Sequence, residues 1–513
     1  MRRAWLALTF GAVLLLLATS WWALKVLAGR EYAARIWEAK AAIRIGAIAK
    51  ARRVLEQVVS RWPGRGEAEY LLGACEKALG REGEAQKAWG SVPPGSPYAG
   101  HAALMLAREA LAKHRLAEAE RHLPTALNAP GPNGVEARET LLYLYKLEGR
   151  IEEARRLVRA GWDHYPDRVG TLQESWRLDT PSPIPLDRHR GALDLASSSN
   201  PDDDRIWLGR AYLAIRVARF EEATGWLEAC RRRRPRDAAV WRVWLDWALA
   251  TQDVAMARQA LDYLPAELVP PTEVLALGGW FAARAGDAAG ERRALARLVA
   301  IAPGSIQSLE RLSGLARQAG EDELCARLRR RKQELDGIQT QYARRIFGPD
   351  PIADAGKLAR WAEELGRLFD ARCWWDLAVR RDPARRAELR GALERIARAE
   401  SRRSEGTTLP ELLAALGPPS SGGRLQPPGR LARCLHSSMT PRPPGYASSS
   451  SAAGPRSGKS PRRWAVGSAC WISTATAGST SISSKAGPSP PTPLTHRPAT
   501  ACSVTGVTAP SRM

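Results

Sequence analysis

The chain has 513 residues, with 77 Lys or Arg against 54 Asp or Glu, which gives a net charge of +23. This length is sufficient for two or three domains. The seven cysteines form no C-x-x-C pair or Cys/His cluster, so the composition gives no support for a metal site. The sequence contains no G-x-x-x-x-G-K-[ST], G-x-S-x-G or H-E-x-x-H motif. We therefore expect neither a cofactor nor an enzyme.

The N-terminus carries an uncharged stretch, residues 4–24, behind Arg2 and Arg3. A helix of this length would span a hydrocarbon core of about 30 Å, which predicts a transmembrane helix. A cleaved signal peptide is the alternative, but its apolar core would be shorter, and Trp21 and Trp22 suit an interfacial anchor. The two arginines favour a cytoplasmic N-terminus. The stretch therefore predicts a single-pass membrane protein whose remaining chain lies on the periplasmic or extracytoplasmic side.

Proline recurs through most of the remaining chain at nearly constant spacing. The series is Pro63, Pro97, Pro132, Pro166, Pro201, Pro235, Pro270 and Pro303, with steps of 33 to 35 residues. A second series of small residues precedes it by twelve or thirteen positions: Ala51, Ala85, Ala119, Ala154, Ala223, Ala257 and Gly290. A period near 34 residues is typical of arrays of helix–turn–helix repeats.

Each unit is predicted to contain two amphipathic helices. In residues 135–167, apolar residues with helical spacing occur on both sides of Gly149, and Pro166 ends the second helix because its ring cannot continue the hydrogen-bond ladder. The small residue falls where the two helices approach most closely. A glycine in the turn suits a left-handed C-cap. The turn glycines are Gly46, Gly80, Gly149, Gly286 and Gly320, whereas His114 and Ala218 take this place in two other units.

This pattern resembles the tetratricopeptide repeat (TPR) family. One unit matches the family's aromatic, leucine, small and closing proline positions with Trp241, Leu245, Ala248, Ala257, Leu261 and Pro270. The resemblance implies an all-α, right-handed helical solenoid in which neighbouring hairpins stack, because no single hairpin can bury its own apolar face. It further implies a concave groove that holds a peptide or a partner protein.

The repeat pattern divides the chain into five segments. They are a signal anchor in residues 1–30, a TPR-like solenoid of about nine units in 31–335, an insert in 336–351, further TPR-like helices in 352–411 and a tail in 412–513. The unit between Pro166 and Pro201 is predicted to be broken or looped, because Pro181, Pro183 and Pro185 interrupt it.

Two sets of residues are candidates for functional roles. Repeat packing is assigned to Ala51, Ala85, Ala119, Ala154, Ala223, Ala257, Gly290 and Trp241. A patch for an acidic partner is assigned to two basic runs, Arg231, Arg232, Arg233 and Arg234, and Arg329, Arg330, Arg331 and Lys332. The alternative for both runs is that cations near a helix C-terminus complement the helix dipole.

The tail differs abruptly in composition from the body. Glu411 is the last acidic residue, and residues 412–513 contain eleven Lys or Arg among many Ser, Thr, Pro, Gly and Ala. We expect this segment to be disordered. It is interpreted as a basic arm, as a low-complexity linker, or as a message translated out of frame. A shifted frame of residues 471–482 can encode D-x-D-G-D-G, a calcium-binding pattern similar to the FG-GAP repeats of TPR plus ASPIC/UnbV proteins like cartilage acidic protein.

The sequence thus predicts a membrane-anchored TPR-like scaffold for protein–protein interaction. The expected partners are a protein or peptide in the concave groove and a membrane contacted through residues 4–24, whereas nucleic acid is not expected. The alternative is the truncated first half of an extracytoplasmic TPR plus FG-GAP propeller protein. A TPR module joined to a catalytic domain is disfavoured, because residues 384–513 show no catalytic spacing.

Overall fold

The computed structural model describes residues 2–180 and 183–417, and every regular element in those two ranges is helical. The α-helices are α1 Arg2–Arg44, α2 Ile48–Arg61, α3 Gly66–Ala78, α4 Glu82–Gly90, α5 Ala99–Ala112, α6 Leu116–Ala126, α7 Pro132–Leu147, α8 Ile151–Gly161, α9 Arg168–Leu178, α10 Leu186–Ser199, α11 Asp204–Arg216, α12 Phe220–Arg233, α13 Ala238–Thr251, α14 Val254–Asp262, α15 Pro271–Arg284, α16 Ala288–Ile301, α17 Ile306–Gln318, α18 Asp322–Ile346, α19 Ala355–Glu364, α20 Leu368–Arg381, α21 Arg386–Ser404 and α22 Leu409–Leu416. Short 3₁₀ turns occupy Ala266–Leu268, Pro351–Asp354 and Pro383–Arg385.

Most of these helices form hairpins of two sequential members, and successive hairpins stack on one another. The pairs are α1–α2, α3–α4, α5–α6, α7–α8, α11–α12, α13–α14, α15–α16, α17–α18 and α19–α20. The second helix of one hairpin then packs on the first helix of the next, as α6 does on α7 and α16 does on α17. The predicted all-helical, TPR-like repeat is therefore confirmed.

The turns inside the hairpins have the left-handed backbone predicted from their glycines. Positive φ angles occur at Gly46, Gly80, Gly149, Gly286, Gly320 and Gly366, and also at the non-glycine residues His114, Ala218 and Gln252. This conformation lets the amide N–H groups after the helix return to its last free carbonyls. At Ala218, for example, the amide of the following Arg219 donates to Ala214 O at 2.8 Å.

The predicted transmembrane helix in residues 4–24 is wrong. Within the described residues, no helix is both long enough and apolar enough to cross a membrane. The uncharged stretch is only the first part of α1, which continues without a break through Lys25, Arg30 and Glu31 and ends at Arg44 as the first helix of a hairpin. The localisation drawn from it, a single-pass membrane protein with its repeats outside the cytoplasm, is contradicted for the same reason.

The irregular unit between Pro166 and Pro201 leaves the regular hairpin order. Its first helix, α9, packs on α8 but also on α18 and α20, which follow much later in the chain. Its second helix, α10, packs on α11. Leu172 of α9 lies in one buried cluster with Tyr342 and Trp374. This unit therefore joins the middle of the array to its last hairpins.

The C-terminal helices also return to earlier parts of the array. α21 follows α20 and contacts α15 and α16, and α22 contacts α14 and α15. Most of the segment interpreted as an insert, 336–351, continues α18 as helix. Of the predicted disordered tail, residues 412–416 belong to α22, and residues 418–513 lie outside the described part of the chain.

Candidate protein-binding surface

Helix α13 is held in the core by three tryptophans on one side. Trp241, Trp244 and Trp247 are all buried, and the last two pack edge to face with ring centroids 5.4 Å apart. Because an α-helix has about 3.6 residues per turn, Arg242 and Asp246 lie on the opposite side of α13. The tryptophan core thus fixes the helix that presents these two charges.

Arg242 joins α13 to α15 through a carboxylate. Its guanidinium lies 2.7 Å from Glu273 on α15 and 3.6 Å from Asp246 one turn further along α13. The three side chains keep 18%, 21% and 29% of their surface exposed, respectively. Nη1 of Arg242 is inaccessible to solvent and makes no hydrogen bond in the structure. The cluster therefore combines a fixed geometry with a buried charged donor that has no acceptor.

Two charges on α8 extend this cluster. Arg155 pairs with Glu152 on its own helix and, at 2.9 Å, with Asp179 just after α9. Glu152 and Arg155 both lie close enough to affect the protonation of Asp246 on α13. Four helices, α9 to α12, separate α8 from α13 along the chain, but these charged groups are close in space. We call Glu152, Arg155, Arg242, Asp246 and Glu273 the inner charge cluster.

The protonation of Asp246 reflects this crowding. Burial raises the pKa of Asp246 to about 6, and the neighbouring Glu273 and Glu152 act in the same direction. The nearby Arg242 and Arg155 oppose the shift without cancelling it. The cluster therefore gains positive charge when the pH falls through about 6.

A second, more deeply buried network holds the hairpins around the cluster. Arg150 pairs with Glu120 and with Glu148, whose side chain is fully buried. Arg205 reaches Glu120 at 2.5 Å and Asp237 at 2.9 Å. Burial raises the pKa of Glu148, and the two arginines oppose this. The network connects α6, the α7–α8 turn, α11 and the N-cap of α13, so its role is to position these helices.

Seven of the eight residues assigned to repeat packing are buried in the structure. Full burial is found at Ala51, Ala85, Ala119, Ala154, Ala223 and Ala257, and Trp241 is 2% exposed. Gly290 differs, because it lies in the first turn of α16, where its amide donates to the N-cap carboxylate of Asp287 at 2.7 Å. A Cβ at Gly290 would come within 2.1 Å of that carboxylate. Gly290 thus belongs to a helix cap, whereas the alanines are buried, and the assignment of these residues to repeat packing stays a prediction.

The first basic run lies at the end of α12 and the second lies on α18, so α13–α17 stand between them in chain order. Acidic side chains lie beside both runs. Arg231 pairs with Glu228 at 2.7 Å, and Arg234 makes a bidentate contact with Asp204. In the second run, Arg331 reaches Glu364 at 2.6 Å. Further members are Arg233 over the Trp207 ring, Lys332 beside Asp336, and the exposed Arg329 and Arg330. The patch for an acidic partner remains a prediction.

The second run also borders an open cavity of about 980 Å³ at the α17–α18 turn. Its lining residues are Gly320, Glu321, Asp322, Glu323, Leu324, Arg327, Arg330, Arg331 and Glu334. Four carboxylates face three guanidiniums in this lining. The cavity is thus of mixed charge rather than basic.

Sequence reasoning missed the inner charge cluster. Arg242 and Asp246 have the i, i+4 spacing of a helical ion pair, and they share α13 with the tryptophans, so this signal was present in the sequence. Glu152 and Arg155 gave no comparable signal, because their proximity to α13 depends on how the hairpins stack.

Comparison with known proteins gives structural matches alone. No family model matches the chain, and no curated protein matches it. The TPR domain of P58(IPK) is 15% identical, with 73% of this chain and 99% of that chain covered and a TM-score of 0.22. The structure of Naa15/Naa10 bound to HypK-THB is 17% identical, with 72% of this chain and 57% of that chain covered and a TM-score of 0.21. The APC/C hetero-tetramer Cut9–Hcn1 is 12% identical, with 75% of this chain and 84% of that chain covered and a TM-score of 0.25. The TPR-like description therefore rests on the hairpins of this chain.

Proposed function

We propose that this chain is a helical-repeat scaffold that binds a segment of another protein at the inner charge cluster. The observation that carries this proposal is the Arg242–Asp246–Glu273 group. Its charged side chains lie on helices packed into the core and remain partly exposed. One buried guanidinium nitrogen of Arg242, Nη1, has no hydrogen-bond acceptor. A rigid, incompletely satisfied polar group is suited to binding rather than to structural support.

The chemistry of the cluster defines the segment that would fit. The partly exposed guanidinium of Arg242 would donate to a carboxylate or a backbone carbonyl of the partner, and a carboxylate would give the stronger, charge-assisted bond. Asp246 and Glu152 would in turn attract a basic side chain on the same segment. The proposed ligand is therefore an extended or helical peptide segment that carries both signs of charge. The role is one of binding, not of catalysis.

A photo-crosslinking residue at position 246 tests this proposal in cells that express the full chain. The control places the same residue at position 293 on α16, where the Arg293 side chain is 73% exposed. A protein adduct formed at position 246 and not at position 293 supports the proposal. Adducts of equal yield at both positions, or none at position 246, contradict it.

The captured protein is then titrated against purified variants. Arg242→Met removes the guanidinium and should weaken binding about tenfold, the loss expected for one hydrogen bond to a charged group. Arg293→Met is the matched control and should leave the affinity unchanged. Thermal unfolding of each variant must show that the fold is retained. Equal affinities of the Arg242 variant and the wild type would refute the role of the cluster.

A second candidate function follows from the composition of the tail. The absence of acids after Glu411, together with the D-x-D-G-D-G pattern in a shifted frame of residues 471–482, supports a chain that is the first half of a TPR plus FG-GAP protein. These residues lie outside the described part of the structure. Reading the coding DNA from the Leu409 codon tests this candidate. An open second frame with repeated acidic loops supports it, and stop codons in that frame refute it.

A further inference from the structure

Helix α22 fills a gap in the middle of the array. Elsewhere, the second helix of one hairpin packs directly on the first helix of the next, as α6 does on α7. α14 and α15 approach each other less closely than these pairs, and α22 contacts both of them. An eight-residue helix from the C-terminal end of the array thus takes part in a contact that the repeat would otherwise make by itself.

The contacts of α22 with this gap are apolar. Leu409 and Leu412 are 3% and 7% exposed and belong to the same buried core as Leu261 and Phe281. Leu412 Cδ1 lies 3.7 Å from the position that a Cβ at Gly278 would occupy, which is van der Waals contact distance and places Leu412 against α15. Two further leucines of α22, at positions 413 and 416, are half-buried against the same core. The leucines have the i, i+3, i+4, i+7 spacing of an amphipathic helix.

Both ends of α22 are also fixed. At its N-terminus, the Thr408 side chain accepts from the Glu411 amide while Glu411 accepts from the Thr408 amide, which forms a capping box. At its C-terminus, Arg258 on α14 donates to Gly417 O at 3.0 and 3.2 Å. Because the last carbonyls of a helix carry partial negative charge, a cation in this place favours a helix end. α14 therefore provides a recognition group for the backbone of a docked helix, in addition to apolar surface.

An isolated helix of eight residues is unstable in water, so α22 is ordered by the surface on which it lies. The connection from α21 consists only of the residues between Ser404 and Leu409, and Glu405 and Thr408 in it are exposed. Short elements that depend on a single contact surface open at lower free energy than the hairpins around them. α22 is thus placed to leave the gap while the array stays folded.

We propose that the gap between α14 and α15 is a binding site for an apolar helix, and that α22 occupies it as an intramolecular competitor. The partner is an amphipathic helix with leucine-like residues at i, i+3, i+4 and i+7 from another protein. Its C-terminal carbonyls take the place of Gly417 O at Arg258. This site is separate from the inner charge cluster, so each proposal can fail without the other.

The test uses a fluorescent peptide with the sequence of residues 405–417 and the full-length chain. In one variant, Leu409→Asp and Leu412→Asp are combined to expel α22. In the matched control, Ala415→Lys changes an exposed residue of the same helix. Fluorescence anisotropy should show binding to the double variant at least about tenfold tighter than to the wild type or the control, since burial of two leucines is at stake. A peptide with both leucines replaced by Asp should not bind.

Three results would overturn the proposal. The first is that the peptide does not bind the double variant, and the second is that it binds all three chains equally. The third is that the wild type forms a concentration-dependent dimer and the double variant does not. That result would assign the site to a second copy of this chain. Hydrogen exchange on the wild type gives an independent measure that needs no variant. The α22 amides should exchange at least tenfold faster than those of α13, and equal protection would mean that α22 is a permanent part of the core.

Discussion

The Ser175 hydroxyl donates a 2.8 Å hydrogen bond to the Asp370 carboxylate, although the two residues are 195 positions apart in the chain. The same carboxylate accepts from the guanidinium of Arg367 at 2.6 Å and from the hydroxyl of Tyr342. Arg367 in turn lies over the ring of Trp176, 4.8 Å from its centroid. The irregular helix α9 is therefore bound to the last hairpins by a buried polar network as well as by apolar contacts.

Replacement of Asp370 by Ala should destabilise this long-range contact strongly. The side chain is nearly inaccessible, and its removal leaves the largely buried Arg367 without one of its two carboxylate partners, the other being Asp179. The expected cost is about 3 kcal/mol in the free energy of unfolding, the range found when one partner of a buried pair is removed. Ser175→Ala, which removes one neutral donor, should cost about 1 kcal/mol. Urea unfolding measures both, and equal costs would show that the charge of Asp370 is not important.

The turn at Ala218 should be stabilised by glycine. Ala218 has a φ of 58°, in the region where a Cβ is disfavoured. Ala218→Gly should therefore raise the free energy of unfolding by about 1 kcal/mol. Ala276→Gly, at an exposed site inside α15, should lower it by a similar amount because glycine weakens a helix interior. Destabilisation by both substitutions would contradict a strained turn at Ala218.

A larger side chain at a repeat-packing alanine should force the helices of a hairpin apart. Ala223 of α12 is fully buried in the core it shares with Leu208 and Val243. Ala223→Leu should cost about 1–3 kcal/mol, the range for overpacked cores. Ala276→Leu adds the same atoms at an exposed position and should be nearly neutral. Thermal unfolding compares the two, and equal melting temperatures would show that position 223 can accommodate the larger residue.

The parts of the fold that the sequence predicted are those that repeat. The prolines, the buried alanines and the left-handed turn residues recur in most units, because each hairpin must solve the same packing problem. The docking of α9 at Asp370 and of α22 at Gly278 occurs once each, between residues far apart in the chain, so it has no period. The transmembrane helix predicted before Lys25 is wrong, and the length of the apolar stretch alone did not reveal that it is the first part of the longer helix α1.

The inner charge cluster should make stability depend on pH in a direction opposite to that of an ordinary salt bridge. Asp246 has a pKa of about 6 in the folded chain, above its ordinary value of 3.8, chiefly because burial disfavours the carboxylate. Between about pH 4 and 6 the folded chain therefore holds a proton that the unfolded chain has released. Its contribution to stability is complete below pH 4 and is lost as the pH rises through 6.

Asp246→Asn mimics the protonated side chain and does not undergo this loss. The free energy of unfolding of this variant, relative to the wild type, should thus increase from pH 4 to pH 7 and then level off. Asp194→Asn, at an exposed carboxylate paired with Arg210, corrects for the general effect of removing a negative charge. Urea unfolding at a series of pH values measures the difference. If attraction to Arg242 outweighed burial, the Asn variant would instead lose stability relative to the wild type as the pH rises.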